Sequence, residues 1–181
     1  MKLVRCWPDP APVGRTGYVV DDCPRLYNTN YSYRGLVALD DDVISLDWDT
    51  AVGRDDLVTF AKRCRANPDQ VLVVPQVMDV GWRRGWTDSR WNCMVYEGNG
   101  KRHVRPGEPT CHLFGFGMVY LPRDVLAAFE ARWAPKLDAG TVRFDDMGFA
   151  GWHHREVSRD TPIAWEVNAV HLHYRVSEVP L

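Results

Sequence analysis

The succession VISL, DWD, RDDLVTFAKRCRANP and QVLVVPQVM, between residues 43 and 78, constrains this chain more than any other feature. VISL is a short apolar run with two β-branched or bulky positions, which favours a strand. In RDDLVTFAKRCRANP, Leu57, Phe60 or Ala61, and Cys64 recur at the spacing of one helix face; Asp55 or Asp56 can cap the start, and Asn67 with Pro68 stops it. QVLVVPQVM is almost continuously apolar, as a strand covered on both faces must be. A helix with one apolar stripe has to bury it against something, and strand, helix, strand in this order predicts an α/β layer.

The flanking sequence extends that layer. KLVRCW reads as a first strand, ended by PDPAPVG because proline offers no ladder donor, and YVVDDCP offers a further short strand before the loop NTNYSYRG. GLVALDDDVISLDWD predicts a hairpin or strand pair with VISL as its central member. CHLFGFGMVYL predicts a strand weakened by Gly115 and Gly117, where small residues let another backbone or a ligand approach. PRDVLAAFEARW predicts a helix with Leu126, Phe129 and Trp133 as its core stripe and Pro135 as its end. TVRF predicts a short strand leading into a helical turn over DDMGFAGWHHR, and TPIAWEVNAVHLHYRV predicts two strands or one bent one.

From Asp79 to Thr110 the periodicity is lost. This span holds three tryptophans and five arginines and is too long for an ordinary connector, so it is expected to be an irregular substrate loop over 79–110. The chain of 181 residues fits one domain, 1–181, large enough to bury a core. Its formal charge of −2 excludes a global attraction for nucleic acid or anionic membrane. Five cysteines without a CxxC pair suit reduced thiols, and no run reaches membrane-spanning length or resembles a secretory leader. A soluble, cytoplasmic protein without a transmembrane segment is the expectation.

Seven aspartates lie between residues 40 and 57, and two of them, Asp47 and Asp49, flank Trp48 directly after VISL. The carboxyl ends of strands are where open α/β sheets collect ligands. A divalent cation such as Mg²⁺ or Mn²⁺ takes hard oxygen ligands, which paired aspartates and phosphate oxygens supply together; a solvated acidic turn is the simpler use of the same residues. His171 and His173 alternate with apolar residues, so a strand there puts both imidazoles on one face, as ligands or as structural hydrogen-bonding groups. Asp145 and Asp146 follow TVRF, where one carboxylate can act as a general base and the other can cap the next helix. His153 and His154 can meet phosphate or simply cover the surface. Trp82, Trp86 and Trp91 can stack on sugar or base faces or anchor the span to the core, and Arg83, Arg84 and Arg90 can contact phosphate.

In their order along the chain, these motifs resemble the GT-A fold glycosyltransferases, particularly small family 2-like members that use nucleotide-diphosphate sugars. VISLDWDTAVGRDDLVTFAKRC looks like that family's strand, Asp-x-Asp turn and helix. HLFGFGMVYLPRDVLAAF is similar to its acceptor-side segment, FDDMGFAGW to its acidic motif, and AVHLHY to its late metal-binding histidine region. The likeness covers about residues 35 to 175; upstream, only about 45 residues precede LDWD, where the family has a longer nucleotide-binding half. The resemblance implies a single GT-A-like, Rossmann-like α/β domain with a central mixed sheet flanked by helices. It further implies Asp49 as metal ligand and Asp47 on ribose or metal-bound water. His171 or His173, with His171 preferred, would complete the metal shell, and Asp146 would be the catalytic base.

Trp82, Arg83 and Arg84 would then contact the donor, Mn²⁺ or Mg²⁺ would be the cofactor, and the acceptor would be a glycan, a small molecule or a modified nucleobase. An inverting transfer from a nucleotide-diphosphate sugar to an acceptor hydroxyl is the expected reaction. A metal-dependent phosphoester or nucleotide-sugar hydrolase, or a non-catalytic carbohydrate-binding protein, would use the same residues differently.

Overall fold

The computed structural model describes residues 1–7, 25–27, 36–47, 50–79, 89–139 and 146–171; for residues 6, 7, 25–27, 78, 79, 89, 90, 137, 138, 146 and 147 it describes the backbone alone. Its central sheet joins Lys2–Trp7 (β1), Arg25–Tyr27 (β2), Val43–Asp47 (β3), Leu72–Val73 (β5) and Met118–Leu121 (β12) in the order β2-β1-β3-β12-β5. β1 is parallel to β2 and to β3, whereas β12 is antiparallel to both β3 and β5. Four strands therefore run one way and β12 alone runs back, so β1, β2, β3 and β5 end at a common edge.

Alternation along these strands builds two cores. Val4, Val43, Val73, Val119 and Leu121 face Val125, Leu126 and Phe129 of Arg123–Asp138 (α2) and Phe149 and Trp152 of Asp146–Trp152 (α3). On the other face Ile44, Leu46, Leu72, Met118 and Tyr120 meet Phe60 and Cys64 of Arg54–Ala66 (α1), together with Ala164, Val167 and Ala169 of the returning chain. The result is an α/β architecture with a central mixed sheet covered by helices. Burial of each large apolar side chain, Phe60 among them, contributes about 2–3 kcal/mol.

Small ribbons surround the sheet. Thr50–Val52 (β4) pairs with Ala169–His171 (β14), Val77–Asp79 (β6) with Ser89–Trp91 (β7), and Thr110–Cys111 (β10) with Thr161–Pro162 (β13). Cys93–Glu97 (β8) lies between Gly100–His103 (β9) and Leu113–Phe114 (β11). The described part of 79–110 is thus more regular than its sequence suggested, because Glu97 and Gly100 close a hairpin whose Gly98 takes a φ of 56°. The GNG of EGNGK was a turn signal of the usual kind.

Four other expectations are corrected. Among the described residues no hairpin precedes β3: residues 36–39 form a helical turn that buries Leu36, and Asp40, at a φ of 47°, turns the chain into the strand. QVLVVPQVM is two strands, since Pro75 has no ladder donor and the chain leaves the sheet after Val74, whose N–H still donates to the Met118 carbonyl at 3.0 Å. CHLFGFGMVYL is three short strands, β10, β11 and β12, bent at residues 115–117. Pro135 does not end α2, which continues to Asp138; both Pro135 and Ala131, whose carbonyl loses its donor, are exposed, so water can satisfy that carbonyl.

Candidate functional site

Asp47 closes β3 at the edge where the parallel strands end, and its N–H donates to the carbonyl of Gly117 across the β12 junction, at 2.9 Å. Two residues later the chain re-enters regular structure at Thr50. One guanidinium nitrogen of Arg5, Nη1, donates to the carbonyls of both Asp47, at 2.7 Å, and Thr50, at 2.8 Å. Arg5 is only 1% exposed. By strand register it shares the α1 face with Leu3, Ile44 and Leu46.

The Thr50 hydroxyl is also held. It accepts from Gln76 Nε2 at 3.2 Å, and Gln76 exchanges backbone bonds with Asn92, donating to Asn92 Oδ1 at 2.8 Å and accepting from its N–H at 2.9 Å. Thr50, Gln76 and Asn92 are all buried. This polar floor requires glycine at position 117, because a Cβ there would stand 1.8 Å from Gln76 Oε1. The close approach anticipated at Gly117 is made by the Gln76 amide.

His171 enters from the opposite end of the sequence. In the β4–β14 ladder His171 pairs with Thr50, Val170 with Ala51 and Ala169 with Val52. Ala169 is buried and Val170 is half exposed, so His171, partly buried, shares the inward face with Ala169. Two ties to α1 fix this returning strand. Arg63 Nη1 meets both carboxylate oxygens of Glu166 at 2.6 Å, and Asp56 Oδ1 accepts from the Asn168 N–H at 2.9 Å. Asp56 was an expected helix cap; Gly53 stands at the cap position without a side-chain bond, and the Asp56 carboxylate spans to residue 168 instead.

Of the expected set, the structure describes Asp47 at the end of β3 and His171 across the ladder from Thr50, three residues after Asp47. Asp49, His173, Trp82, Arg83, Arg84, Trp86 and Asp145 lie outside the described residues, and Arg90 is described only through its β7 backbone. Among the described residues no group of three or more His, Cys, Asp or Glu side chains is arranged to hold a metal ion. Asp146 begins α3, where a helical turn with Asp145 or Asp146 near its start was expected, although its side chain is not described. Three residues on, Phe149 packs edge-on against Phe116 at 5.3 Å, and Phe116 adjoins the Gly117 that bonds Asp47. That chain of contacts ties α3 to the β12 entrance.

The histidine pair after α3 has other duties. His153 is buried, 2% exposed, in a π-helical turn His153–Val157, stacked on Phe149 with its Nδ1 3.2 Å from Thr161 Oγ1. Burial, with a smaller repulsion from His154, pushes its pKa down to about 4. A surface role on phosphate is thereby corrected to a neutral core residue. His154 stacks on His112 at 4.6 Å, beside Tyr96. Trp91 is half-buried and packs edge-on against Trp165 at 5.0 Å, an anchor of the span to the core.

Arg5, Thr50, Gln76 and Asn92 were missed. The available signals were an arginine inside the apolar KLVRCW and a glutamine following proline inside QVLVVPQVM.

In its fold the chain is similar to the crystal structure of A197 from STIV, with a TM-score of 0.54 and 11% identity over 96% of this chain and 87% of that one. At that identity the likeness speaks to the fold alone. No protein-family model matches the chain, and no curated protein matches it in sequence. Among the described residues no helix is long and apolar enough to cross a membrane.

Proposed function

We propose that this chain is a metal-dependent glycosyltransferase with a GT-A-like fold, moving a sugar from a nucleotide-diphosphate donor to an acceptor hydroxyl. The observation that carries the reading is the pairing of His171 with Thr50, which joins the strand carrying His171 to the residue that follows Asp49 in the sequence. A solvated acidic turn has no need of a histidine strand fixed beside it. The strand order β2-β1-β3-β12-β5, with only β12 reversed, agrees with the same reading.

Asp49 and His171, with His173 as the alternative imidazole, would hold Mn²⁺ or Mg²⁺, and Asp47 would serve ribose or a metal-bound water. Carboxylate oxygen is a donor that Mn²⁺ and Mg²⁺ both accept readily. When bound, the cation supplies positive charge against the negative charge that develops on the leaving diphosphate. Trp82, Arg83 and Arg84 are assigned to the donor. The Asp146 carboxylate takes the proton of the acceptor hydroxyl as its oxygen bonds to the anomeric carbon and the bond from that carbon to the diphosphate oxygen breaks. One displacement of this kind inverts the anomeric configuration.

The test is a panel of nucleotide sugars titrated by calorimetry with and without Mn²⁺, combined with an assay for released nucleoside diphosphate. Donor binding only with the cation, lost in Asp49→Asn, supports the reading. No cation-dependent binding across the panel overturns it, and quantitative release of free sugar without any acceptor makes the protein a hydrolase.

A further inference from the structure

The β8–β9 hairpin and the π-helical turn after α3 meet in a cluster of rings that the proposed chemistry does not use. His112 stacks on Tyr96 at 5.8 Å and on His154 at 4.6 Å, and those two rings stand 5.1 Å apart. Register explains what His112 does there. Hydrogen-bonded pairs alternate along an antiparallel hairpin, and Val104, donating to the Cys93 carbonyl at 3.0 Å, fixes the phase of this one. The Tyr96 N–H therefore points away from β9, to the side on which the His112 N–H donates to the Met94 carbonyl at 2.9 Å. Its acceptor on that side is a side chain, because it donates to His112 Nδ1 at 2.8 Å. An imidazole takes the place of a ladder carbonyl.

A carbonyl accepts at any pH, whereas an imidazole nitrogen accepts only while it carries no proton. With Nδ1 occupied by the Tyr96 N–H, the proton of neutral His112 sits on Nε2, which faces Asp160 Oδ1 at 3.5 Å. A second proton can bind only at Nδ1, where it meets the Tyr96 N–H, so this bond must break for His112 to become charged. His154 has the opposite arrangement: its Nδ1 lies 2.6 Å from the Arg159 carbonyl and therefore carries the proton. Among the described residues the charged groups acting on His112 are His154, which repels a charge there, and Asp160, which attracts one. Burial first and His154 second hold the His112 pKa below its ordinary 6.5, and Asp160, 62% exposed, offsets them only in part.

We infer that the Tyr96–His112 hydrogen bond is an acid-opened latch, tying the end of the β8–β9 hairpin to the chain at His112 while that imidazole is neutral and releasing it when the imidazole is charged. The latched chain binds the His112 proton less tightly than the released one. The latch is therefore closed above pH 6.5 and opens as pH falls below that value. Tyr96 is 44% exposed, so water can take over its N–H once the bond is lost. The segment set free is the tip at Glu97 and Gly100, within the span rich in tryptophan and arginine. None of this draws on the glycosyltransferase reading.

The experiment is a ¹⁵N NMR titration of the wild-type chain from about pH 8 downward, over the range in which circular dichroism shows it folded. At the alkaline end His112 is expected as the tautomer protonated on Nε2. As it titrates, with a midpoint below 6.5, the Tyr96 amide resonance should move with the same midpoint. Protection of that amide from hydrogen exchange, corrected for its intrinsic rate, should fall by about twofold to tenfold. His112→Phe keeps a ring but no acceptor, and should leave Tyr96 unprotected at every pH. His154→Phe removes the repelling charge and should move the midpoint up, whereas Asp160→Asn should move it down. A Tyr96 amide that stays unchanged while His112 titrates overturns the inference, as does a His112 ring protonated on Nδ1 at the alkaline end. Should His112→Phe fail to fold, the wild-type titration decides by itself.

Discussion

His171 lies directly across the β4–β14 ladder from Thr50, the residue that follows Asp49 in the sequence. The pairing has a simple cause in Asp56 and Arg63, which hold residues 168 and 166 against α1 and so set where β14 begins. If the imidazole at this position completes the cation site, His171→Ala should weaken Mn²⁺ binding by more than about a hundredfold, beyond what loss of an orienting group produces. His173→Ala should have the smaller effect. Calorimetric titration of both variants measures the difference, and equal or reversed losses would move the ligand to His173.

Asp146 makes a different prediction because its proposed work begins after the donor is bound. Asp146→Asn should leave the dissociation constant for donor and cation within about threefold of wild type while lowering transfer by about 10²–10⁴, the range general bases contribute. Single-turnover transfer and equilibrium binding, measured on the same preparation, separate the two effects. Parallel loss of donor binding would assign Asp146 to a ligand or structural role.

Gly117 and Gln76 offer a test of the polar network that holds the Thr50 hydroxyl. Gly117→Ala places a methyl group 1.8 Å from the original position of Gln76 Oε1, so the amide must leave its bond to Thr50. Overpacking of this kind is expected to destabilise by about 1–3 kcal/mol. Gln76→Ala removes the obstacle, so the double variant should be less destabilised than the sum of the two single ones, by about 0.5–3 kcal/mol. Urea unfolding of the four proteins closes the cycle; strict additivity would mean that the two side chains do not compete.

These pairs also mark what could be read from the sequence. The strand VISL, the helix beginning at Arg54 and a strand at the alternation of Val170 with His171 follow from local periodicity, which is why the α/β layer was legible. The register between Thr50 and His171 is set by contacts 103 and 112 residues apart, from Arg63 to Glu166 and from Asp56 to Asn168, and no local pattern carries that information. Arg5 and Gln76 were illegible for a related reason: a lone polar residue in an apolar strand marks either an exposed edge or a buried partner, and only the fold distinguishes them. At Pro135 the local rule was simply overridden, because an exposed helix face tolerates a missing hydrogen bond.

His153 should make the stability of the folded chain depend on acid. Buried against Phe149 and Thr161, it is held neutral, with its pKa near 4 instead of the ordinary 6.5, by burial first and by the neighbouring His154 second. The unfolded chain takes up a proton at this residue as pH falls below about 6.5, whereas the folded chain resists until about 4. Stability is therefore fully present above pH 6.5 and is lost progressively as pH falls toward 4, by about 3 kcal/mol if the whole difference is expressed. His153→Asn retains a polar group near Thr161 but no titrating ring, so it should lower stability at neutral pH yet flatten the dependence between pH 7 and pH 4. Urea midpoints across that interval provide the measurement, and identical slopes for the two proteins would assign the acid sensitivity elsewhere.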